Sequence, residues 1–172
     1  LSAALLDAGS CVDGLTLSEA HGTGTALGDP IEAGSLTGAV LRARAAPLPV
    51  GGVKANIGHA EPAAGMTGLL KLALMLRAGN ASANAQLRVL NPHVLATLRG
   101  LACALPEQVC AVAVGSGGVS SFGYSGTIVH AVLSCLGEGA AYAYGARVAP
   151  AVAYHRRAFA WHEPPHPLTQ QR

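Results

Sequence analysis

Aromatic side chains are nearly missing from this sequence: two Phe, one Trp and four Tyr in 172 residues. A core cannot be built around large rings, so Ala, Val and Leu must fill it, with backbones approaching closely at many of the 22 glycines. That composition suits layers of helix and sheet better than a small barrel. Charge is scarce as well. Asp, Glu, Lys and Arg make up 12% of the chain, about half the usual share. A chain this apolar is expected to bury part of its surface against a second copy or against further polypeptide. The net charge of +2, with no Lys/Arg run before residue 147 and no aromatic ladder, argues against a nucleic-acid partner.

Long apolar runs are absent too: none reaches about 18 residues, so no membrane span is expected. The start, "LSAALLDAGSCVDG", has no basic leader region and is broken by Asp7 and Asp13, so it does not read as a signal peptide. A cytoplasmic location is expected, with an organelle such as a plastid left open. Cys11, Cys103, Cys110 and Cys135 form no C-x-x-C pair and no zinc spacing with histidines. They read as buried, reduced thiols. The chain does not begin with Met, and reads as a piece of something longer.

Glycine, histidine and threonine are what is present, and they cluster. "SEAHGTGTALGDPIEAG" (18–34) lacks the Lys of a phosphate loop and misses the dinucleotide spacing by one residue. It ends in helix-start chemistry, with Asp29 as N-cap, Pro30 at the first helical position and Glu32 at the reciprocal capping position. Ile31, Leu36, Val40 and Leu41 fall on one face of the helix that follows. Capping does not account for His21, Thr23 and Thr25. A histidine leaving a strand before a glycine loop is a site geometry. "VKANIGHAEPAAGM" (53–66) repeats the arrangement, with Lys54 and Asn56 on an expected strand, a turn at Gly58, and His59 before a helix. Either histidine alone fits a structural role. As a matched pair they are expected to face one cleft, where two neutral imidazoles would donate hydrogen bonds to one developing oxyanion. Zinc is the rival use, and Glu61 is the only near candidate for a third ligand.

The remaining chain reads as an α/β pattern of helix, strand, helix, strand, helix, irregular segment, strand, strand. In the third helix Met66, Leu69, Leu70, Ala73 and Leu74 recur at helical spacing, Gly65 and Gly68 imply a close neighbour, and Gly79 closes the end. Residues 80–110 read as irregular, with a turn at "LNPH". "VCAVAVGSGGVSSFGYSGTIVHAVLSC" reads as a closing hairpin around a glycine loop. From Gly137 the texture shifts to small residues, then Arg, aromatics and Pro, as in a linker or packed arm.

"EAHGTGTALGDPIEAG", "VKANIGHAEPAAGMTGLLK" and "GVSSFGYSGTIVHAVL" closely resemble, in order and spacing, successive motifs of the β-ketoacyl synthase (ketosynthase) domain of modular type I polyketide synthases. The resemblance covers residues 1–136 and implies the C-terminal half of a thiolase-like fold, a layered α/β/α architecture, followed by a linker over 137–172. It implies decarboxylative Claisen condensation of a malonyl-type extender on acyl carrier protein with an acyl chain held on a cysteine. That cysteine belongs to a Thr-Ala-Cys-Ser type motif in the family's N-terminal half, and no cysteine here has those neighbours. By resemblance His21 and His59 are the catalytic histidines, and Lys54 supports the second of them. Glu61 is structural or paired with that lysine, and His130 is structural. Thr23 and Thr25 line the phosphopantetheine arm, and Phe122, Gly123 and Tyr124 line the acyl side. The family usually has Phe at Tyr124, and often Gly at Ser125 and Asn at Ile128.

No directly bound cofactor or metal is implied; substrates arrive on the phosphopantetheine of acyl carrier protein. The implied partners are that carrier, the N-terminal half, neighbouring acyltransferase or other synthase domains, and a second copy in a homodimer. A fatty-acid synthase ketosynthase fits the same motifs. A non-elongating carrier-binding module commonly lacks the second histidine, which is present here, and a purely structural fragment predicts that neither histidine matters.

Overall fold

Apolar residues at strand and helix spacing build one sheet covered on both faces. The computed structural model describes residues 1–85 and 87–135; the expected linker over 137–172 lies outside the described residues. In chain order the elements are α1 (Ser2–Asp7), β1 (Leu15–Glu19), α2 (Gly28–Ala39), β2 (Leu48–Gly51), α3 (Lys54–Ile57), α4 (Ala64–Ala78), β3 (Asn80–Ala81), α5 (Pro92–Leu98), β4 (Cys103–Ala104), β5 (Cys110–Ala111), β6 (Ser116–Phe122) and β7 (Ile128–Ser134).

The main sheet runs β4-β2-β1-β6-β7, with β3 and β5 forming a separate antiparallel pair. β4, β2, β1 and β6 are parallel, and β7 returns antiparallel along β6 as the expected hairpin. Register aligns Glu19 with Gly51 on one side and with Val119 on the other, so β1 and β2 end together while β6 runs on to Phe122.

A bulge at Thr16 decides which side of the sheet each β1 leucine faces. Leu15 and Leu17 would share a face in a regular strand, but the register shifts between them. Leu15 joins Leu5, Leu36, Val40, Leu41, Leu48 and Val50 on one face. Leu17 joins Leu72, Met75, Leu76, Ala81 and Val119 on the face covered by α4. Glu19, two residues beyond Leu17, also points toward α4: a Cβ on Gly68 would stand 3.5 Å from its Cγ.

Helix α4 runs where expected and closes at Gly79 in the left-handed conformation. Its buried face differs from the expected stripe. Ala64, Gly68, Leu72, Met75 and Leu76 are buried, whereas Met66, Leu70 and Leu74 are 58%, 55% and 62% exposed. The glycines explain the choice. A Cβ at Gly65 would stand 2.8 Å from the Ser121 hydroxyl, so the face with least side chain lies on β6. Both faces of the helix are therefore apolar.

Other expectations shift. Lys54 and Asn56 sit on the short helix α3, because β2 ends at Gly51 and the chain turns at once. Residues 92–98 form a helix rather than a turn: Asn91 accepts the His93 N–H at 2.9 Å and Pro92 occupies the first position. Ile31 is exposed, while Leu36, Val40 and Leu41 are buried. The cysteines are not buried thiols: Cys11 lies in a surface turn and Cys110 on the two-residue β5, both exposed, and Cys103 and Cys135 are half-buried.

His130 is paired with Ser120 across the hairpin, its Nδ1 3.0 Å from the hydroxyl. Its buried Nε2 has no hydrogen-bond partner among the described residues, and burial lowers its pKa to about 4.

Two outcomes follow from this packing. Leu72 is fully buried, and Leu72→Ala is expected to cost about 2–5 kcal/mol in urea unfolding. The unfolded chain takes up a proton on His130 near pH 6.5 and the folded chain only near 4. The favourable contribution of the neutral ring is therefore intact above pH 6.5 and is lost as pH falls toward 4. His130→Phe should therefore flatten the acid limb of stability against pH.

Candidate active site

Ligand sites in open parallel sheets form beyond the carboxyl ends of the strands, and that edge carries the histidines. Ala20 still donates to Gly51 O at 2.8 Å, so the chain leaves β1 in register with β2. His21 follows, its side chain buried. The loop after it is held by two carboxylates from the start of α2. Glu32 accepts the His21 and Gly22 N–H groups at 2.6 and 2.9 Å, and Asp29 accepts Gly24 N–H at 3.1 Å. Gly22 and Gly24 have φ of +51° and +77°, which side-chain-bearing residues adopt only with strain.

The expected capping is thereby corrected. The helix begins at Gly28, whose N–H is taken by the Thr25 hydroxyl at 3.0 Å. Asp29 and Glu32 face the loop rather than their own helix. Burial raises the Glu32 pKa against the lowering effect of the two N–H bonds.

Lys54 stands beside His21. Its Nζ donates to the His21 carbonyl and lies 3.3 Å from His21 Nδ1. The short helix α3 starts directly after β2, which puts Lys54 against the end of β1; His59, five residues later, is carried past that point. Burial lowers the pKa of His21, and the charges of Lys54 and His59 add to the effect, which favours a neutral ring. Burial also lowers the Lys54 pKa, opposed by Glu32, Glu19 and Asp29.

His59 follows Gly58, whose φ is +80°. Its Nδ1 accepts the backbone N–H of Glu61 at 2.8 Å. An accepting Nδ1 leaves the proton of the neutral ring on Nε2. Glu61 holds a φ of +44°, uncommon for a residue with a side chain. Its carboxylate is exposed and forms no ion pair with Lys54; its contact with the site is through its backbone.

The structure brings the two histidines together. Their ring centroids are 6.1 Å apart and perpendicular, and Phe122, the last residue of β6, stacks on His21 at 5.6 Å. A cleft of about 470 Å³ contains both histidines with Thr23, Thr25, Phe122, Gly123 and Tyr124, which is every expected substrate-side residue. Thr23 and Thr25 have their hydroxyls 3.4 Å apart. Lys54 lines a neighbouring apolar cavity of about 590 Å³ instead, which shares Thr23, Glu32 and His59 with the cleft. No cysteine lines the histidine cleft. Among the described residues no three metal-ligating side chains converge, and Glu61 does not complete a zinc set.

Sequence reasoning missed Glu19 and Lys71. Glu19 is fully buried, accepting Lys71 Nζ at 2.5 Å on one oxygen and Val53 N–H at 2.5 Å on the other. Burial raises its pKa, opposed chiefly by Lys71. A carboxylate at an inward position of an apolar strand was the available signal.

Comparison with known proteins agrees with this architecture. The sequence family described as "Beta-ketoacyl synthase, C-terminal domain" matches residues 1–88. The highly reducing polyketide synthase cm3B of Cordyceps militaris is 45% identical over 117 residues, 67% of this chain and 5% of that protein. One component of the phenolphthiocerol/phthiocerol polyketide synthase of Mycobacterium tuberculosis is 40% identical over 158 residues, 88% of this chain and 8% of that protein. The chain thus spans a small part of these relatives. Ketosynthase twelve of the bacillaene polyketide synthase in Bacillus amyloliquefaciens superposes with a TM-score of 0.68 at 31% identity, over 74% of this chain and 24% of that one. The mixed α/β fold with its mostly parallel sheet is the thiolase-like fold of such ketosynthases. The chain belongs to the β-ketoacyl synthase family and carries its C-terminal domain, of the kind found in polyketide synthases.

Proposed function

We propose that this chain supplies the decarboxylation half of a polyketide ketosynthase site. The observation that carries the reading is the pair of imidazoles at 6.1 Å on one cleft wall, with His59 Nδ1 committed to a backbone donor and His21 Nδ1 beside the Lys54 ammonium. In both neutral rings the proton is then on Nε2, and two such donors suit one developing enolate oxygen. In this reading His21 and His59 hold the carbonyl oxygen of a malonyl-type thioester. The bond to the carboxylate breaks, its electron pair passes into the enolate, and carbon dioxide leaves. The resulting carbanion attacks the carbonyl carbon of an acyl thioester, a carbon–carbon bond forms, and the carbon–sulfur bond breaks to release a cysteine thiolate.

That cysteine is assigned to the N-terminal half of the domain, because no cysteine lines this cleft and burial pushes the Cys103 thiol up, away from thiolate. Thr23 and Thr25 face the phosphopantetheine arm of acyl carrier protein, and Phe122, Gly123 and Tyr124 the acyl side. Lys54 keeps His21 neutral and oriented.

The N-terminal half is also the partner that the uncovered face of α4 requires. Met66, Leu70 and Leu74 form one exposed stripe on a helix whose other side is already buried. In the proposed whole domain α4 lies between two sheets. Residues 1–136 are proposed as the domain half and 137–172 as a linker toward further synthase domains, in a homodimeric assembly.

In the full-length protein, His21→Ala and His59→Ala are each expected to lower malonyl decarboxylation about 100- to 1,000-fold while leaving acyl loading of the cysteine intact. Carbon dioxide release and mass spectrometry of the loaded enzyme read the two steps. Wild-type decarboxylation in both variants would overturn the proposal. Leu70→Asp is expected to cost about 2–4 kcal/mol in that full-length protein. A side chain left in solvent would change stability by no more than about 0.5 kcal/mol, so thermal melting distinguishes the cases.

A further inference from the structure

The buried pair Glu19–Lys71 lies at the junction of the three segments that deliver the site. Glu19 is the last residue of β1, two before His21. Its Oε1 accepts the N–H of Val53, the residue before Lys54. Its Oε2 accepts from Lys71 on α4, and the turn leading into α4 follows His59 directly. The side chains of Lys71 and Glu19 are 13% and 0% exposed. The surroundings are cut to fit them: a Cβ on Gly51 would stand 2.8 Å from Lys71 Nζ and 3.3 Å from Glu19 Oε2. The preceding N–H of the same turn, on Gly52, is taken by Asn84 at 2.9 Å.

Stability alone does not account for a charged pair here. Two well-packed apolar side chains serve a core as well as a buried ion pair, and often better. What an apolar pair lacks is an acceptor for Val53 N–H. We infer that Glu19 and Lys71 are positioning residues for the decarboxylation site: Glu19 sets the turn that aims Lys54 at His21, and Lys71 neutralises Glu19 so that it remains an acceptor in the core. This inference rests on the function proposed above and names residues that touch no substrate.

The test uses the full-length protein and three readouts: thermal stability, acyl loading of the cysteine, and carbon dioxide release from a malonyl thioester. Glu19→Leu with Lys71→Met keeps volume and removes both charges and the acceptor. It is expected to fold and to load acyl groups. Its decarboxylation kcat should fall roughly 100-fold with KM little changed, the usual result of a small misplacement of catalytic groups. Glu19→Gln with Lys71→Met restores an acceptor carbonyl without charge, and should recover decarboxylation to within about threefold of the parent.

Decarboxylation in the Leu/Met variant within about twofold of the parent overturns the inference, as does failure of the Gln/Met variant to recover. Should the Leu/Met variant not fold, Val53→Pro removes the donor at a φ of −57° that proline adopts, with Val53→Ala as the control for the buried side chain that is lost with it. The same fall is expected of Val53→Pro, and an unchanged rate overturns the inference. His59→Ala serves as the separate control: if it decarboxylates like the parent, the site reading itself fails, and the role of the pair falls with it.

Discussion

Everything at this site depends on parallel strands delivering their carboxyl ends to one edge of the sheet. β1 is hydrogen-bonded to β2 on one side and β6 on the other, and the register sets Glu19 level with Gly51 and Val119. Three chain segments separated by about thirty to a hundred residues therefore leave the sheet at the same edge. His21 follows the first, Lys54 the second, and Phe122 ends the third. Parallel pairing makes this possible, since the carboxyl ends of neighbouring strands point the same way.

Charge is spent sparingly and at places where it sets geometry. Three carboxylates near the edge, on Glu19, Asp29 and Glu32, accept backbone N–H groups, so each fixes a loop. Two cations stand against them. Lys71 balances Glu19, while Lys54 faces the carbonyl and ring of His21 with Glu32 and Glu19 close enough to favour its charge. The outcome is a buried histidine whose neutral form is favoured among groups that are mostly ionic. That separation of roles is consistent with a site that stabilises negative charge as it appears on a ligand.

Much of this was legible in the sequence, for identifiable reasons. Each histidine sits beside a glycine at the exit from a regular element, His21 before Gly22 after β1 and His59 after Gly58 at the end of α3, and the structure places them in one cleft with the five expected substrate-side residues. Gly65 and Gly68 announced a close approach that β6 makes. Long-range partners were not legible. Nothing local says that Glu19 meets a lysine 52 positions later, or that Lys54 reaches the carbonyl and ring of His21. Helix α4 shows another limit: with apolar residues on every side, periodicity finds a helix but does not choose its buried face, and the two glycines made that choice. Asn91-Pro92 carried a helix-start signal for α5 that a turn reading overlooked, and the reach of Glu32 back to β1 hid inside an ordinary capping pattern.

The loop after His21 carries a thermodynamic consequence. Four of its N–H groups, from His21, Gly22, Gly24 and Gly28, are satisfied by side chains before any ligand arrives. Ordering a flexible loop at the moment of binding costs conformational entropy that weakens affinity. Here that entropy is surrendered during folding, so a ligand entering the cleft meets a loop whose backbone is already fixed.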